Sequence, residues 1–297
     1  MKESEIVAII GKSGSGKSTL VKCLYGLEDL QSGEIFLEKE QVLGPSFNLI
    51  PGHKEMRLVS QDYYVLDNHT VEENIKDMLV GYNNEYKDTR CKKILKLLDL
   101  NPIAKLQART LSSGQKQRVA IARALTVMPK LLLLDEPFNN LDRPLKEKLF
   151  TFIVKEVQKK KTALLIITHE SDEALKYSHK IAVMDNGKIV QFDAQEKVFY
   201  KPKNLKSASL LCDYNIIKKD DLEKTSQIKL KKQLFVRPHQ LYILQKTETA
   251  DIVLSNTTLY FNGKCFELYG ETRSGRGIVV YAFTEPKLSE KMYVKLK

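Results

Sequence analysis

Two short stretches of this chain carry side chains whose types and spacing suit gripping a polyphosphate and breaking it. The first is GKSGSGKST at residues 11–19. Glycines at 11, 14 and 16 let the backbone fold around an anion with its N–H groups pointing inward, where larger side chains would obstruct. Lys17 and Ser18 complete the pattern G-x-x-x-x-G-K-S. In that pattern the lysine reaches the β- and γ-phosphates and the serine hydroxyl ligates Mg²⁺. A helix starting at this point turns its positive end toward the phosphates. The plain alternative, a flexible glycine turn that binds nothing, is hard to fit between a strand and a helix.

The second stretch is LLLLDEP at residues 131–137. Four leucines read as a fully buried strand, and Asp135 emerges at its end, where a carboxylate reaches Mg²⁺ or its waters. Glu136 follows at the place for a general base on an attacking water. A third apolar run, ALLIITH at 163–169, ends in His169. A lone histidine is more often structural, but at the mouth of a parallel strand it occupies the edge where ligands bind. There it could hydrogen-bond the γ-phosphate or hold the water and Glu136 in place. In LSSGQKQRVAIARAL at 111–125, Ser112 can cap a helix, and the capped end again favours an anion. One phosphate loop does not need two such helix ends, so this end is expected to complete the site of another copy.

These groups must be positioned by strands and helices. Ile6 to Ile10 is a short β-branched run ending at glycine, the signature of a buried parallel strand. Residues 63 to about 125 read as helical: Thr70 and Glu73 form a capping signal, and Cys91, Ile94, Leu95 and Leu98 share a face before Asn101 and Pro102 end the run. Asp142 and Pro144 open another helix, with Leu145, Leu149, Phe152 and Ile153 along one side. Asn186–Gly187 suits the two-residue turn of a hairpin over 181–192. From about 205 onward short β-rich runs alternate with polar turns, which predicts a small all-β module. The expected fold class is α/β, a phosphate-loop core with a parallel sheet and a helical subdomain, followed by that module. The expected division is 1–204 and 205–297.

Six elements in order resemble the ATP-binding subunit of an ABC transporter: the phosphate loop, Gln61 in LVSQDYYVL, LSSGQKQR, LLLLDEP, NNLD at 139–142 and ITHE at 167–170. The resemblance covers residues 1 to about 200. It implies two subunits sandwiching two ATP molecules head to tail, each phosphate loop facing the other's signature. It makes the whole loop, Gly11, Lys12, Ser13, Gly14, Ser15, Gly16, Lys17, Ser18 and Thr19, the ATP-binding set. It implies Ser18, Gln61 and Asp135 around Mg²⁺, and catalysis by Glu136, His169 and Gln61. Ser112, Ser113, Gly114 and Gln115 would act in trans, and Asp142 would couple the two sites. Ser113 departs from the usual L-S-G-G-Q. It costs little in the first turn of a helix but about 1 kcal/mol if the backbone there needs positive φ. The tail motifs VFYKPKN and FVRPHQLYI resemble the C-terminal regulatory domain of importers of the maltose, polyamine and ferric-iron type. The partners so implied are a second identical subunit and membrane-embedded permease subunits, with the chain cytoplasmic and peripheral on the inner face of the cell membrane. The helical subdomain would receive a short permease helix.

The chain carries a net charge of +11, of which +8 lies in residues 201–297. No dense Lys/Arg block with interleaved aromatics accompanies that excess, so no direct nucleic-acid partner is expected. Cys23, Cys91, Cys212 and Cys265 are scattered without a C-x-x-C pair, which argues against a disulfide framework or a zinc site. No apolar run approaches the roughly 18 residues a membrane span needs. Family members usually place strands and an adenine-stacking aromatic before the phosphate loop, and MKESEIVAII corresponds to the end of that region. The expectation is either a start lying upstream or weak ATP binding through phosphates alone, with Tyr25 and Phe36 left to packing. Two other readings stay open: a nucleic-acid- or ribosome-associated ATPase of the same superfamily, and a weakly hydrolysing nucleotide-binding regulator. Nothing in the chain identifies a solute, and import rests on the tail alone.

Overall fold

The computed structural model describes residues 1–244 and 249–297. It divides into two compact units, Met1–Gln195 and Glu196–Lys297. In the first unit the elements run β1 (Ile6–Ile10), α1 (Lys17–Tyr25), β2 (Phe36–Leu37), β3 (Glu40–Gln41), β4 (Met56–Val59), α2 (Val71–Asp77), α3 (Asn84–Leu97), α4 (Ser113–Thr126), β5 (Leu131–Asp135), α5 (Arg143–Lys160), β6 (Ala163–Ile167), α6 (Ser171–Tyr177), β7 (Lys180–Asp185) and β8 (Lys188–Ala194).

Six of these strands form one sheet in the order β4-β5-β6-β1-β7-β8. Pairing is parallel as far as β7, and β8 closes the edge antiparallel. The apolar runs are buried throughout in β1 and β5, as strands covered on both faces must be. Val59 pairs with Leu134 and Asp135 with Ile167, so the C-terminal ends of β4, β5, β6 and β1 line one edge of the sheet. That edge receives Gln61, Asp135, Glu136, His169 and the phosphate loop. Asn186 (φ 48°) and Gly187 (φ 75°) make the expected tight turn between β7 and β8.

The helical part forms for the reasons visible in its caps. Thr70 accepts from the Glu73 amide at 3.2 Å while the Glu73 carboxylate accepts from the Thr70 amide at 2.7 Å, a reciprocal capping box at the start of α2. Cys91, Ile94, Leu95 and Leu98 are buried on one side of α3 and the residue that closes it. In α5 the buried aromatic is Phe150 rather than Phe152. Phe150 lies against Phe138 and stacks on Tyr177 with centroids 4.1 Å apart, whereas Phe152 is half-exposed beneath Arg90 and Lys93. The helix face there is set by an aromatic partner on another element, which a one-dimensional pattern does not contain.

One face of the sheet holds an open depression of about 930 Å³ that includes Val7, Ile9, Ala163, Leu165 and Ala182, with lysines such as Lys130 and Lys160 among its lining. Tyr25 packs as expected, but Phe36 is exposed at this depression instead of contributing to a core.

The second unit begins with helices α7 (Gln195–Tyr200) and α8 (Leu205–Ser209), continues through β9 (Asn215–Ile217), β10 (Leu234–Val236), β11 (Leu241–Leu244), β12 (Ile252–Phe261), β13 (Phe266–Glu271), β14 (Gly277–Ala282) and ends with β15 (Met292–Leu296). Five strands form an antiparallel sheet in the order β11-β15-β12-β13-β14, and β9 pairs with β10. Its core is Ile252, Leu254, Leu268, Ile278, Val280 and Val294. Arg237 is fully buried and donates to the carbonyls of Phe199, Ala208, Cys212 and Asp213 at 2.6–3.1 Å. Those four carbonyls belong to the segment around α7 and α8, so this one side chain ties that segment to the strands. Buried Asp221 is held in the same manner by Thr272, Ser274 and Arg276.

Candidate active site

The loop from Gly11 to Ser18 takes the shape its glycines permit. Gly14 (φ 75°) and Gly16 (φ 97°) adopt left-handed backbone, Gly16 serving as the cap of α1. Gly11 is required for a different reason: a Cβ there would lie 2.4 Å from the Met184 carbonyl oxygen and 2.7 Å from Ser15 Oγ. Lys12, Ser13 and Thr19 are exposed, while Lys17 is buried along its stem. The Lys17 ammonium donates to the carbonyls of Gly11 at 2.9 Å and Lys12 at 3.0 Å. It thus spans the loop from inside.

Beside it lie two buried polar atoms with no hydrogen-bond partner, Ser15 Oγ and Asp135 Oδ1. Such atoms are costly unless something arrives to meet them. Burial pushes the Asp135 carboxyl above its ordinary value, against the opposing hydrogen bond from Ser18 and the charge of Lys17. An anion with a spare oxygen, next to a serine hydroxyl, is a donor set suited to a hard cation.

Glu136 sits just past β5 with φ 49°, an unusual conformation for a glutamate, fixed by its amide donating to the Ile167 carbonyl at 3.1 Å. Its Oε2 accepts from Asn139 Nδ2 at 2.7 Å and lies 3.8 Å from His169 Nδ1. His169 is largely exposed. The backbone around it is braced: Thr168 Oγ1 donates to Glu173 at 2.6 Å and accepts from the Glu170 amide at 3.0 Å, and Lys146 bonds Glu170. Gln61 is exposed in the turn after β4, next along the sheet edge from Asp135.

At the start of α4, Ser112 Oγ accepts from the Gln115 amide at 3.3 Å and the Gln115 side chain accepts from the Ser112 amide at 2.9 Å. Ser112's hydroxyl proton remains free to donate to an anion. Ser113 is the first helical residue and its φ is not positive, so the serine there is the inexpensive case. A Cβ on Gly114 would meet nothing within 4 Å. Gln117, one turn further, is fully buried and donates to the Pro137 carbonyl at 2.7 Å, joining α4 to the turn after Glu136. Asp142 is exposed and caps α5 by accepting from the Leu145 amide at 2.9 Å. Asn139 and Gln117 lie inside the NNLD and LSSGQKQR motifs but carry no local signal of their roles, since each acts on a residue outside its own motif.

The ABC transporter family matches residues 1–139. The Fe(3+) ions import ATP-binding protein FbpC 2 of Haemophilus influenzae is 31% identical over 89% of this chain and 77% of its own length. The chain belongs to the ABC transporter ATP-binding proteins. A spermidine/putrescine import ATP-binding protein of Clostridium novyi is 37% identical over 73% of this chain and 62% of its own length. A solved ATP-binding cassette, dimeric in a post-hydrolysis state with ADP and phosphate, is 27% identical with a TM-score of 0.58 and covers 66% of this chain and 87% of its own. The ABC protein described here binds and hydrolyses ATP. Among the described residues no helix is long and apolar enough to cross a membrane.

Proposed function

We propose that this ABC protein powers solute import as a head-to-tail pair acting on separate membrane-embedded subunits. The observation that carries this reading is a division within one chain. The phosphate loop and Asp135 leave buried polar atoms unmet, while the capped start of α4 offers an anion-seeking hydroxyl with open space beside it. The first half suits nucleotide and Mg²⁺, and the second suits an anion that a nucleotide held on a second copy would supply.

In that pair, residues 11–19 hold the phosphates, with the Lys17 ammonium exchanging backbone carbonyls for the β- and γ-phosphates. Ser18 and Asp135, with Gln61 beside them on the sheet edge, would hold Mg²⁺, which neutralises charge on the phosphates when bound. The spare Asp135 oxygen fits that role. Glu136 takes the proton of the attacking water and His169 hydrogen-bonds the γ-phosphate. Ser112, Ser113, Gly114 and Gln115 act on the partner's ATP, and Asp142 lies where the two sites communicate. The chain would lie at the cytoplasmic face of the membrane, its helical part receiving the permease and its second unit serving as a regulatory module.

The names of the relatives span ferric ions, polyamines and sulfate. Cargo choice therefore does not reside in the residues they share with this chain.

Glu136→Gln is expected to abolish turnover and to trap an ATP-bound dimer, read by steady-state phosphate release and by light scattering. Mixing Lys17→Ala with Ser112→Ala copies tests the shared site: both mutations then fall in one composite site and the other is intact, so activity is regained in the mixture. Wild-type turnover by Glu136→Gln, or no recovery on mixing two folded variants, would overturn the reading.

A further inference from the structure

The turn that follows Glu136 is unusually well fixed. Phe138 is buried against Phe150, the Leu141 amide donates to the Phe138 carbonyl at 3.1 Å, and Gln117 clamps the Pro137 carbonyl at 2.7 Å. Asn139 rides on this platform, and its amide nitrogen donates to Glu136 Oε2 at 2.7 Å.

We propose that Asn139 is a positioning residue for hydrolysis: it fixes one oxygen of the Glu136 carboxylate and leaves the other to take the proton of the attacking water. The inference rests on Glu136 being the general base. Glu136 has a left-handed backbone, and among the described residues the ion-pair partner of its carboxylate, His169, stands 3.8 Å away. Without Asn139 its side chain would sample several rotamers, of which few aim at the γ-phosphate. An amide is well suited to this task. It donates a directed hydrogen bond yet carries no charge, so it orients the base without neutralising it, as a lysine or arginine at the same distance would.

The arrangement predicts a loss of rate rather than of binding. Asn139→Ala is expected to lower kcat about tenfold with KM for ATP unchanged, because the carboxylate loses its fixed orientation while the phosphate loop is untouched. Asn139→Asp replaces the donor with a second carboxylate that repels Glu136 and is expected to lower kcat further, again with KM unchanged. Asn139→Ser, a shorter donor, is expected to recover part of the rate.

The experiment measures kcat and KM for ATP of the full-length protein and these three variants at saturating Mg²⁺, with Glu136→Gln run in parallel. If Asn139→Ala keeps wild-type kcat, if its loss appears in KM instead of kcat, or if Asn139→Ser recovers nothing, the positioning role is wrong, and Asn139→Ala with a normal thermal midpoint excludes misfolding as the cause. If Glu136→Gln abolishes turnover in the same series, only this inference has failed. If Glu136→Gln turns over normally, the assignment of the base fails with it.

Discussion

Each of the two units buries charge, and each treats it differently. In the β unit Arg237 is saturated by four backbone carbonyls, and Asp221 by two hydroxyls, a guanidinium and the Lys218 amide. In the α/β unit five buried side-chain atoms among the described residues lack a hydrogen-bond partner, two of them, Asp135 Oδ1 and Ser15 Oγ, beside the phosphate loop and the others on Arg57, Gln117 and Glu173. Saturation is what architecture requires, because an unmet polar group inside a protein costs stability. Incompleteness is what a site requires, because the ligand must supply the missing partner. Beside the phosphate loop, the two unmet oxygens lie where a bound nucleotide and its cation would meet them, whereas the polar groups of the β unit are met by the fold itself.

That contrast can be broken at several points. The largest effect is expected at Lys17: replacing it with alanine should lower ATP turnover at least about a hundredfold, since it removes the charge that the proposed site presents to the phosphates. Its thermal midpoint should move little, because the ammonium holds only loop carbonyls in the free protein. Arg237→Met should do the opposite. It leaves four carbonyls without a donor and is expected to destabilise the β unit by about 3–5 kcal/mol, read by calorimetry, with ATP turnover per folded molecule retained.

Smaller effects sharpen the comparison by sign. Asp221→Asn should cost about 1–3 kcal/mol at neutral pH. Burial alone would raise the Asp221 pKa, but hydrogen bonds from Ser274, the Lys218 amide, Thr272 and Arg276 bring it below its ordinary 3.8. Its contribution is thus complete above that value and is lost as pH falls through the lower folded pKa. Asp135 has the reverse linkage: burial raises its folded pKa, so its ionisation above the ordinary value of 3.8 works against the free protein. Asp135→Asn is accordingly expected to stabilise the nucleotide-free protein by about 1 kcal/mol while abolishing Mg²⁺-dependent turnover. Urea titrations of both variants across acidic pH would show slopes of opposite sign, and parallel slopes would refute the distinction.

What could be read in advance follows the range of the interactions. The phosphate loop, the Thr70–Glu73 capping box and the Asn186–Gly187 turn are local signals, complete within a few residues, and the structure reproduces them. The strand order set Asp135, Glu136, His169 and Gln61 along one edge, because buried apolar runs ending in polar residues can only emerge at the sheet's end. Residues whose meaning depends on a distant partner were not legible. Gln117 acts on a carbonyl twenty positions away, and Arg237 on carbonyls from 24 to 38 positions away. Phe150 rather than Phe152 turned inward because Phe138 and Tyr177 stood there to receive it. Phe36 remained outside for the converse reason: nothing covers it. Asn139 lay within a quoted motif, yet only the strained turn at Glu136 shows which way it points.

The vacancy around Gly114 gives the molecule a silent position. A methyl group added there fits the single chain and favours its helix, so the lone subunit would melt no lower and slightly higher, by about 0.5–1 kcal/mol of stability. If a second copy closes over that spot, as the proposed pairing requires, the extra carbon would collide with it, and a loss of turnover without a loss of stability would then report on contact between copies.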